Sequence, residues 1–461
     1  MSISLRPYQE EIIEKARVRM KAGVRSLLIT APCGSGKTVL TAWMLKSAMY
    51  KGLASWFIVH RRELIKQSIR TFGEVGVPHG VIANNFMEDR RHPIQIGSIQ
   101  TLARRYQRFK EPSLIIWDEC HHTAAGSWAK IYAAFPNAFH VGLTATPERL
   151  DGRGLGKWFR EIIHGPSVRW LIENKFLSPY KLYAPSSVNV SKMHMQMGDF
   201  KKSELNQAVD KPTITGDAIK HYEKLAHGKR AVVFCVSIEH SKHVVSQFQA
   251  AGIPSAHVDG ETPTEERDEA IEKFKKGEIK VLSNVDLFGE GFDAPSIEVA
   301  ILLRPTASLG LFIQQTGRAL RTCAGKTQAI ILDHSGNTIR HGLPDEERDW
   351  SLERHEGGRK KAEDSESVKI CPKCFAAQFP GRTSCAFCGC VFEIKARQVE
   401  HVDGNLEEVN LDAMRRIKKS EQGKCETLED LVQLGIKRKY RFPHRWAHFL
   451  WQARQRRKVF A

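Results

Sequence analysis

The 461-residue chain contains no run of about 18 apolar residues, so no segment is suited to cross a bilayer as a helix. The opening stretch meets charge at Arg6 and has no apolar core, which reads against a secretory signal peptide. Cysteine is sparse, with 10 in all, too few for a disulfide scaffold. These absences give the expectation of an intracellular protein, cytoplasmic or nucleoid, with reduced thiols and no membrane partner. No solenoid repeat is present. With 41% hydrophobic and 26% charged residues, the composition excludes a disordered, collagenous or membrane-embedded chain. Acidic residues are the scarcer sign: 52 against 70 Lys and Arg, a net charge of +18. That surplus points to a polyanion partner, most often nucleic acid.

The surplus is unevenly spread. Residues 1–180 hold 26 basic and 14 acidic side chains, a net of +12, and residues 181–345 are neutral at 20 and 20. Residues 346–430 are slightly acidic at −3, and the last 31 residues carry nine basic side chains and no acidic one.

Short apolar runs alternate with longer helical stretches. Ser26–Thr30 (SLLIT), Ser55–Val59 (SWFIV), Leu114–Trp117 (LIIW) and His140–Leu143 (HVGL) form one series. Ala231–Val236 (AVVFCV), Lys280–Leu282 (KVL), Val299–Leu303 (VAILL) and Ala329–Leu332 (AIIL) form a second. Such alternation predicts βαβ units and parallel sheets, hence an α/β chain of two lobes, 1–180 and 181–345. A charged linker is expected over 346–365, a small metal module over 366–393, and a basic, aromatic, helical region over 394–461.

SLLIT runs into Ala31-Pro32-Cys33-Gly34-Ser35-Gly36-Lys37-Thr38, and a helical stretch follows. Strand, Gly-rich loop, Lys-Thr and helix make a phosphate-binding loop. Glycines let backbone N–H groups curl round phosphates at a helix N-terminus. Lys37 supplies a point charge, and the Thr38 hydroxyl is placed to ligate Mg²⁺. Ala31 stands where the pattern begins with Gly. Asp118 and Glu119 directly follow LIIW, at the C-terminal end of a strand, where open parallel sheets bind ligands. An aspartate there holds Mg²⁺, and the adjacent glutamate orients and deprotonates an attacking water. The reading is ATP with Mg²⁺.

Cys371-x2-Cys374-x10-Cys385-x2-Cys388 places two Cys-x-x-Cys pairs ten residues apart. Four such thiolates converge on one structural Zn²⁺, and the metal supplies much of the folding energy of so short a segment. Cys390 is an alternative to Cys388, and the module could bind nucleic acid or brace the fold. In the final 31 residues, Trp446, Phe449 and Leu450 fall at helical spacing, which suggests an apolar face in the core and basic residues facing phosphates. Stacking on bases is the sharper alternative.

Asp118-Glu119-Cys120-His121 is a DECH version of the DEAD/DEAH box, and the chain resembles a superfamily 2 helicase from residue 5 to about 335. Leu5-Arg6-Pro7-Tyr8-Gln9 resembles the adenine-reading Q motif, and His60-Arg61-Arg62-Glu63-Leu64 resembles motif Ia. Ser98-Ile99-Gln100-Thr101 is similar to a further strand-side motif, and Thr144-Ala145-Thr146 to motif III. Gly289-Glu290-Gly291-Phe292-Asp293 resembles motif V, and Gln314-Gln315-Thr316-Gly317-Arg318-Ala319-Leu320-Arg321 resembles motif VI. Within the superfamily the chain looks like the branch of type III restriction subunits and related repair helicases.

The resemblance implies two tandem RecA-like lobes clamping one ATP. Lys37, Asp118 and Glu119 would act from the first lobe, and Gln314, Arg318 and Arg321 from the second. Arg6, Gln9, Gly34, Ser35, Gly36, Thr38, His121, Gly291 and Asp293 would contact nucleotide or relay to it. Arg61, Arg62, Arg104, Arg105, Ser283 and Asn284 are candidates to grip strand phosphates, since a motor that moves along any sequence holds backbone, not bases. The expected function is an ATP-dependent helicase or translocase, with DNA favoured over RNA and protein partners reached through the zinc module or tail. Alternatives are the motor subunit of a restriction complex without its own nuclease, or an ATPase that anneals or remodels without net unwinding.

Overall fold

A computed structural model of the chain describes residues 3–122, 126–147, 154–185, 195–196, 199–200, 213–215, 218–285, 297–304, 306, 308–348, 350–352, 369–370, 377–378, 400–402, 406–408, 420–438, 440 and 443–459. The first lobe is a seven-stranded sheet of β1 (Ser26–Thr30), β2 (Ser55–Val59), β3 (Gly80–Ile82), β4 (Ile94–Ser98), β5 (Leu114–Trp117), β6 (Phe139–Thr144) and β7 (Glu161–His164). Their order is β3-β4-β2-β5-β6-β1-β7, and every pairing is parallel. Helices α1 (Pro7–Lys21), α2 (Lys37–Tyr50), α3 (Arg62–Val75), α4 (Ile99–Arg105), α5 (Gly126–Ala134) and α6 (Val168–Glu173) accompany it. Every residue of β1, β2 and β5 is buried. Strands covered on both faces need continuous apolar runs rather than alternation, and SLLIT, SWFIV and LIIW are such runs. Helix α3 buries Leu64, Ile65, Ser68, Phe72 and Val75 as one stripe, the 3.6-residue pattern of a helix packed on a sheet.

The second lobe repeats the design. Its strands are β8 (Tyr180–Pro185), β9 (Ala231–Phe234), β10 (Ser255–Val258), β11 (Val281–Asn284), β12 (Val299–Leu302), β13 (Ala329–Asp333) and β14 (Leu406–Glu408). They lie in the order β10-β11-β9-β12-β13-β8-β14. All pair in parallel except β14, which is antiparallel to β8. Helices α7 (Ala218–Ala226), α8 (Ile238–Ala250), α9 (Thr264–Lys276), α10 (Leu309–Ala319) and α11 (Asn337–His341) belong here.

The far C-terminal region is more than a helical tail. Strand β14 lends it an edge of the second sheet, and Glu400–Val402 pairs in parallel with Thr213–Thr215. Helices α12 (Leu428–Lys437) and α13 (Pro443–Val459) then close on a small core of Cys425, Leu431, Val432, Leu434 and Ala447, with Trp446, Leu450 and Trp451 against it. Phe449 departs from the expected apolar face, at 55% exposed. Three of the cations expected at phosphates are committed to protein. Arg438 pairs with Glu421 at 2.8 Å, Arg445 donates to Ser351 Oγ at 2.6 Å, and Arg454 donates to Cys425 O at 2.7 Å.

The two lobes are closed on one another. Helix α10 is buried at each residue from Phe312 to Ala319, as a helix enclosed between two bodies must be. Ion pairs cross from α3 to α9, Glu63 to Arg267 at 3.0 Å and Lys66 to Asp268 at 2.8 Å. After the second sheet the chain returns to the first lobe, where Leu352 O accepts from Gly156 N at 2.7 Å.

Candidate active site

Strand β1 delivers Ala31 to the end of the sheet, where its N–H donates to Thr144 O at 2.9 Å. The loop then turns through Gly34 and Gly36, at φ +81° and +80°, and Gly36 caps α2. Side chains rarely adopt that left-handed backbone, and the space is closed as well. A Cβ on Gly36 would lie 2.6 Å from Gln9 Nε2, and one on Gly34 would lie 2.8 Å from Leu177 Cδ2. Lys37, in the first turn of α2, sends its ammonium to Ala31 O at 3.3 Å and to Glu119 Oε1 at 3.5 Å. Burial acts to lower its pKa, but Glu119, with Cys33 and Asp118, overrides that and holds it above the ordinary lysine value. Thr38 follows in the same turn.

Asp118 and Glu119 leave β5 at its C-terminal end, 6% and 8% exposed. Glu119 sits at φ +45°, a conformation costing a non-glycine residue about 1–3 kcal/mol. His121 Nδ1 lies 3.4 Å from Glu119 Oε2 and 3.0 Å from Thr144 Oγ1. The Thr144 hydroxyl donates its proton to Thr146 O, so the ring proton belongs on Nδ1. The acidic pair and the Thr-Ala-Thr segment thus form one connected unit.

Gln9, 2% exposed, donates to Ser35 O and Gly36 O at 3.0 and 3.2 Å and accepts from Arg6 N at 2.9 Å. Tyr8, to which the sequence alone assigned no role, donates its hydroxyl to Ser35 O at 2.7 Å. Arg6 lies 4.9 Å over the Phe176 ring, and Phe176 stacks with Trp170 at 5.9 Å. The Q-motif residues therefore brace the phosphate loop from behind and open an aromatic face beside it.

The second lobe meets this loop through α10. A Cβ on Gly317 would lie 2.7 Å from Cys33 Cβ, and one on Gly310 would lie 3.1 Å from Thr146 Oγ1. Gln314 and Arg318 are 5% exposed, and Arg318 is close enough to act against the charge of Lys37. Arg321 Cγ would be 3.3 Å from a Cβ on Gly34. Residues about 160 to 290 positions apart in sequence thus face one another across a few ångströms. Leu177 lies at this seam and Lys326 stands behind it in the second lobe, bonded to Ala319 O and Arg321 O; a lone leucine and a lone lysine carry no motif, so the sequence alone does not single them out.

For the strand-side candidates the outcome divides. His60-Arg61-Arg62 and Ser98-Ile99-Gln100-Thr101 are brought together, with Gln100 Nε2 donating to His60 O at 3.4 Å. Arg104 is exposed. Arg105 pairs with Glu88 at 3.6 Å, and Arg62 reaches Thr264 Oγ1 of the second lobe at 3.5 Å. Ser283 and Asn284 require correction as phosphate contacts: β11 buries them to 0% and 1% exposed. Ser283 Oγ lies 2.6 Å from Ser241 Oγ, and Asn284 Nδ2 donates to Val233 O at 2.8 Å. Both belong to the packing of the sheet. Gly291 and Asp293 lie outside the described residues.

The loop fits a nucleotide's phosphates. Ser35 Oγ, buried in a residue 2% exposed, has no hydrogen-bond partner among the described residues, and a buried hydroxyl calls for one. Among the described residues no cluster of three His, Cys, Asp or Glu could hold a metal; Cys371, Cys374, Cys385 and Cys388 lie outside them. Cys33, Cys120, Cys235, Cys323 and Cys425 are free thiols. Among the described residues no helix is long and apolar enough to cross a membrane.

A phosphate loop facing an arginine-bearing helix across two parallel-sheet lobes defines a two-lobed ATP hydrolase of the helicase type. Residues 2–149 match the family described as type III restriction enzyme, res subunit, and residues 211–323 match the helicase conserved C-terminal domain. The chain is 38% identical over 405 residues to a 51.5 kDa protein of Lactococcus phage (isolate 7-9), covering 87% of this chain and 84% of that one. It is 30% identical over 355 residues to IRC3 of Saccharomyces cerevisiae, which carries the name of an ATP-dependent helicase, covering 72% of this chain and 51% of that one. A fragment structure assigned as the HsdR subunit of a type I restriction enzyme from Vibrio vulnificus YJ016 is similar at TM-score 0.57 and 26% identity, over 73% of this chain and 65% of that one. The chain thus spans about half of the yeast helicase it matches. It belongs to the superfamily 2 helicases, ATP-dependent nucleic-acid motors, with a type III restriction-type first lobe and a helicase C-terminal second lobe.

Proposed function

We propose that this motor acts on DNA, gripping the phosphates of the strand and stepping once per ATP. The observation that carries the reading is the seam itself. Lys37 and Glu119 lie 3.5 Å apart on one lobe, with Gly317 of the other lobe packed on Cys33 and Arg321 beside Gly34. In this reading Lys37 and the loop N–H groups hold the β- and γ-phosphates, and Glu119 takes a proton from the attacking water. Thr38 and Asp118 would hold Mg²⁺, which when bound neutralises charge developing on the phosphates. Arg318 and Arg321 face the γ-phosphate from the second lobe, with Gln314 one turn before Arg318. Loss of that phosphate removes what both lobes grip, and the cleft relaxes. His121, through Thr144 and Thr146, links hydrolysis to the strand side, and Gly291 and Asp293 complete the nucleotide contacts.

DNA is preferred because the similarities run to restriction enzymes, which act on DNA. Arg61, Arg62, Arg104 and Arg105, on the lobe of net charge +12, are the proposed phosphate contacts. Cys371, Cys374, Cys385 and Cys388 are proposed to hold one structural Zn²⁺, and the module they form, with the tail behind it, is the proposed docking point for protein partners. The res-subunit match also favours a second reading, the motor of a restriction complex whose cleavage is done elsewhere.

ATP turnover compared across single-stranded, duplex and forked DNA and RNA tests the proposal. Stimulation by DNA well above RNA is expected, and equal or greater stimulation by RNA would reject the DNA assignment. Stimulation with no strand separation on a forked substrate would favour the translocating restriction-motor reading.

A further inference from the structure

A helix leaves its last carbonyls without intrahelical donors. At the end of α10, three consecutive carbonyls are all taken by donors from outside the helix. Lys326 Nζ donates to Ala319 O and, at 2.7 Å, to Arg321 O. Ser178, in the segment joining the lobes, donates its N–H to Leu320 O at 2.7 Å and its hydroxyl to Arg321 O at 3.3 Å. The third proton of Lys326 goes to Ile297 O at 2.7 Å, ahead of β12. An ammonium has three donors, and each has its acceptor. A cation at this end of a helix is also favoured by the helix dipole.

Two of those three acceptors lie in the arginine-bearing segment, whose Arg321 side chain rests against Gly34 of the phosphate loop. We propose that Lys326 is a positioning residue for Arg321: its charged ammonium fixes the backbone from which Arg321 reaches the phosphate loop, and so governs hydrolysis without touching ATP. The inference rests on the reading of Arg321 as a phosphate-facing group. Burial lowers the Lys326 pKa to about 8, with Cys323 and Glu298 resisting the fall, so the ammonium form still predominates at neutral pH. Ser178 holds the same segment from the connector, so the segment is clamped from both sides.

The test is a double-mutant cycle in the full chain, with Lys326→Met and Arg321→Ala made singly and together and turnover measured with DNA saturating. Displacing a catalytic group by about 1 Å can cost on the order of a hundredfold in rate, so Lys326→Met is expected to lower kcat roughly tenfold to a hundredfold, with KM for ATP little changed. In the Arg321→Ala background the same substitution should change kcat little, because the group it positions is gone. Lys326→Arg, which returns a cation to the site, should recover most of the loss. An unchanged kcat in Lys326→Met overturns the inference. So does an equal fold-loss in both backgrounds, which marks a general weakening of the lobe. Should Lys326→Met not melt cooperatively, Lys326→Gln, which keeps donors without charge, takes its place in the cycle, and the same two results overturn the inference. An Arg321→Ala chain with normal turnover overturns the reading of the site and this inference together.

Discussion

The two lobes share one sheet plan and use it in opposite ways. In the first, polar residues at the strand ends gather round the loop after β1: Asp118 and Glu119 after β5, with Thr144 at the end of β6 tied to them through His121. In the second, the comparable polar residues turn inward. Cys235, Ser283, Ser241, His257 and Asp259 form a continuous hydrogen-bonded chain within the lobe, with Ser241 Oγ 2.7 Å from His257 Nδ1 and His257 Nε2 3.0 Å from Asp259 Oδ2. The second lobe acts through a helix instead, presenting α10 to the loop opposite. In the proposed reading one lobe would hold phosphate on backbone, and the other would bring Arg318 and Arg321 to it. Net charge follows the strand candidates instead, with +12 on the first lobe, which carries Arg61, Arg62, Arg104 and Arg105, and none on the second.

The largest effect expected from this contrast is on hydrolysis in the first lobe. Glu119→Gln should lower kcat by roughly a thousandfold or more, the scale of losing an essential phosphoryl-transfer group, while leaving DNA affinity nearly unchanged. Steady-state ATP turnover with DNA saturating measures the first quantity and a binding titration the second. The seam comes next. Gly317→Ala puts a Cβ at 2.7 Å from Cys33 Cβ and pushes the lobes apart, so kcat should drop roughly a hundredfold. Thermal melting of the same variant should stay close to the parent, because neither sheet is touched.

A pair of substitutions separates strand contact from packing. Arg104→Ala should reduce the slope of log K against log salt by about 0.9 for each duplex phosphate lost. Ser283→Ala should leave that slope unchanged and cost about 1–3 kcal/mol in stability, since Ser241 and Cys235 lose a buried partner. A slope that changes with Ser283→Ala would restore it to the strand path. The smallest effect concerns pH. Burial raises the Asp259 pKa, but hydrogen bonds from Thr262 and His257 more than reverse this and bring it down to about 2. A carboxyl depressed in the folded state stabilises above its unfolded pKa and loses that contribution as pH falls toward the folded value. The second lobe should therefore weaken as pH falls from about 4 to about 2, and Asp259→Asn should flatten that part of the melting profile.

What is legible in the chain is local. LIIW and AVVF are strands buried on both faces, and continuous apolar runs announce them. β3, with three residues, and β10, half-exposed at Ala256 and His257, carry no such run and escape a reading by pattern. β14 is hidden for a different reason, since it reaches the second sheet from beyond residue 400. The phosphate loop and the acidic pair are legible because the chemistry of each lies within eight residues. The polar character of Ser283 and Asn284 suggests a surface, but burial is set by strands far off in sequence. Arg62 with Thr264, and Lys326 with Arg321, belong to the same class: their meaning depends on what the fold places opposite.

Whether two lobes act on one nucleotide is decided by single-turnover ATP hydrolysis in the Arg318→Ala variant of the full chain, with ATP binding measured on the same sample. A loss of roughly a thousandfold or more in the hydrolysis rate is expected, with ATP still bound. Hydrolysis at the parent rate would mean that the second lobe takes no part in the chemistry.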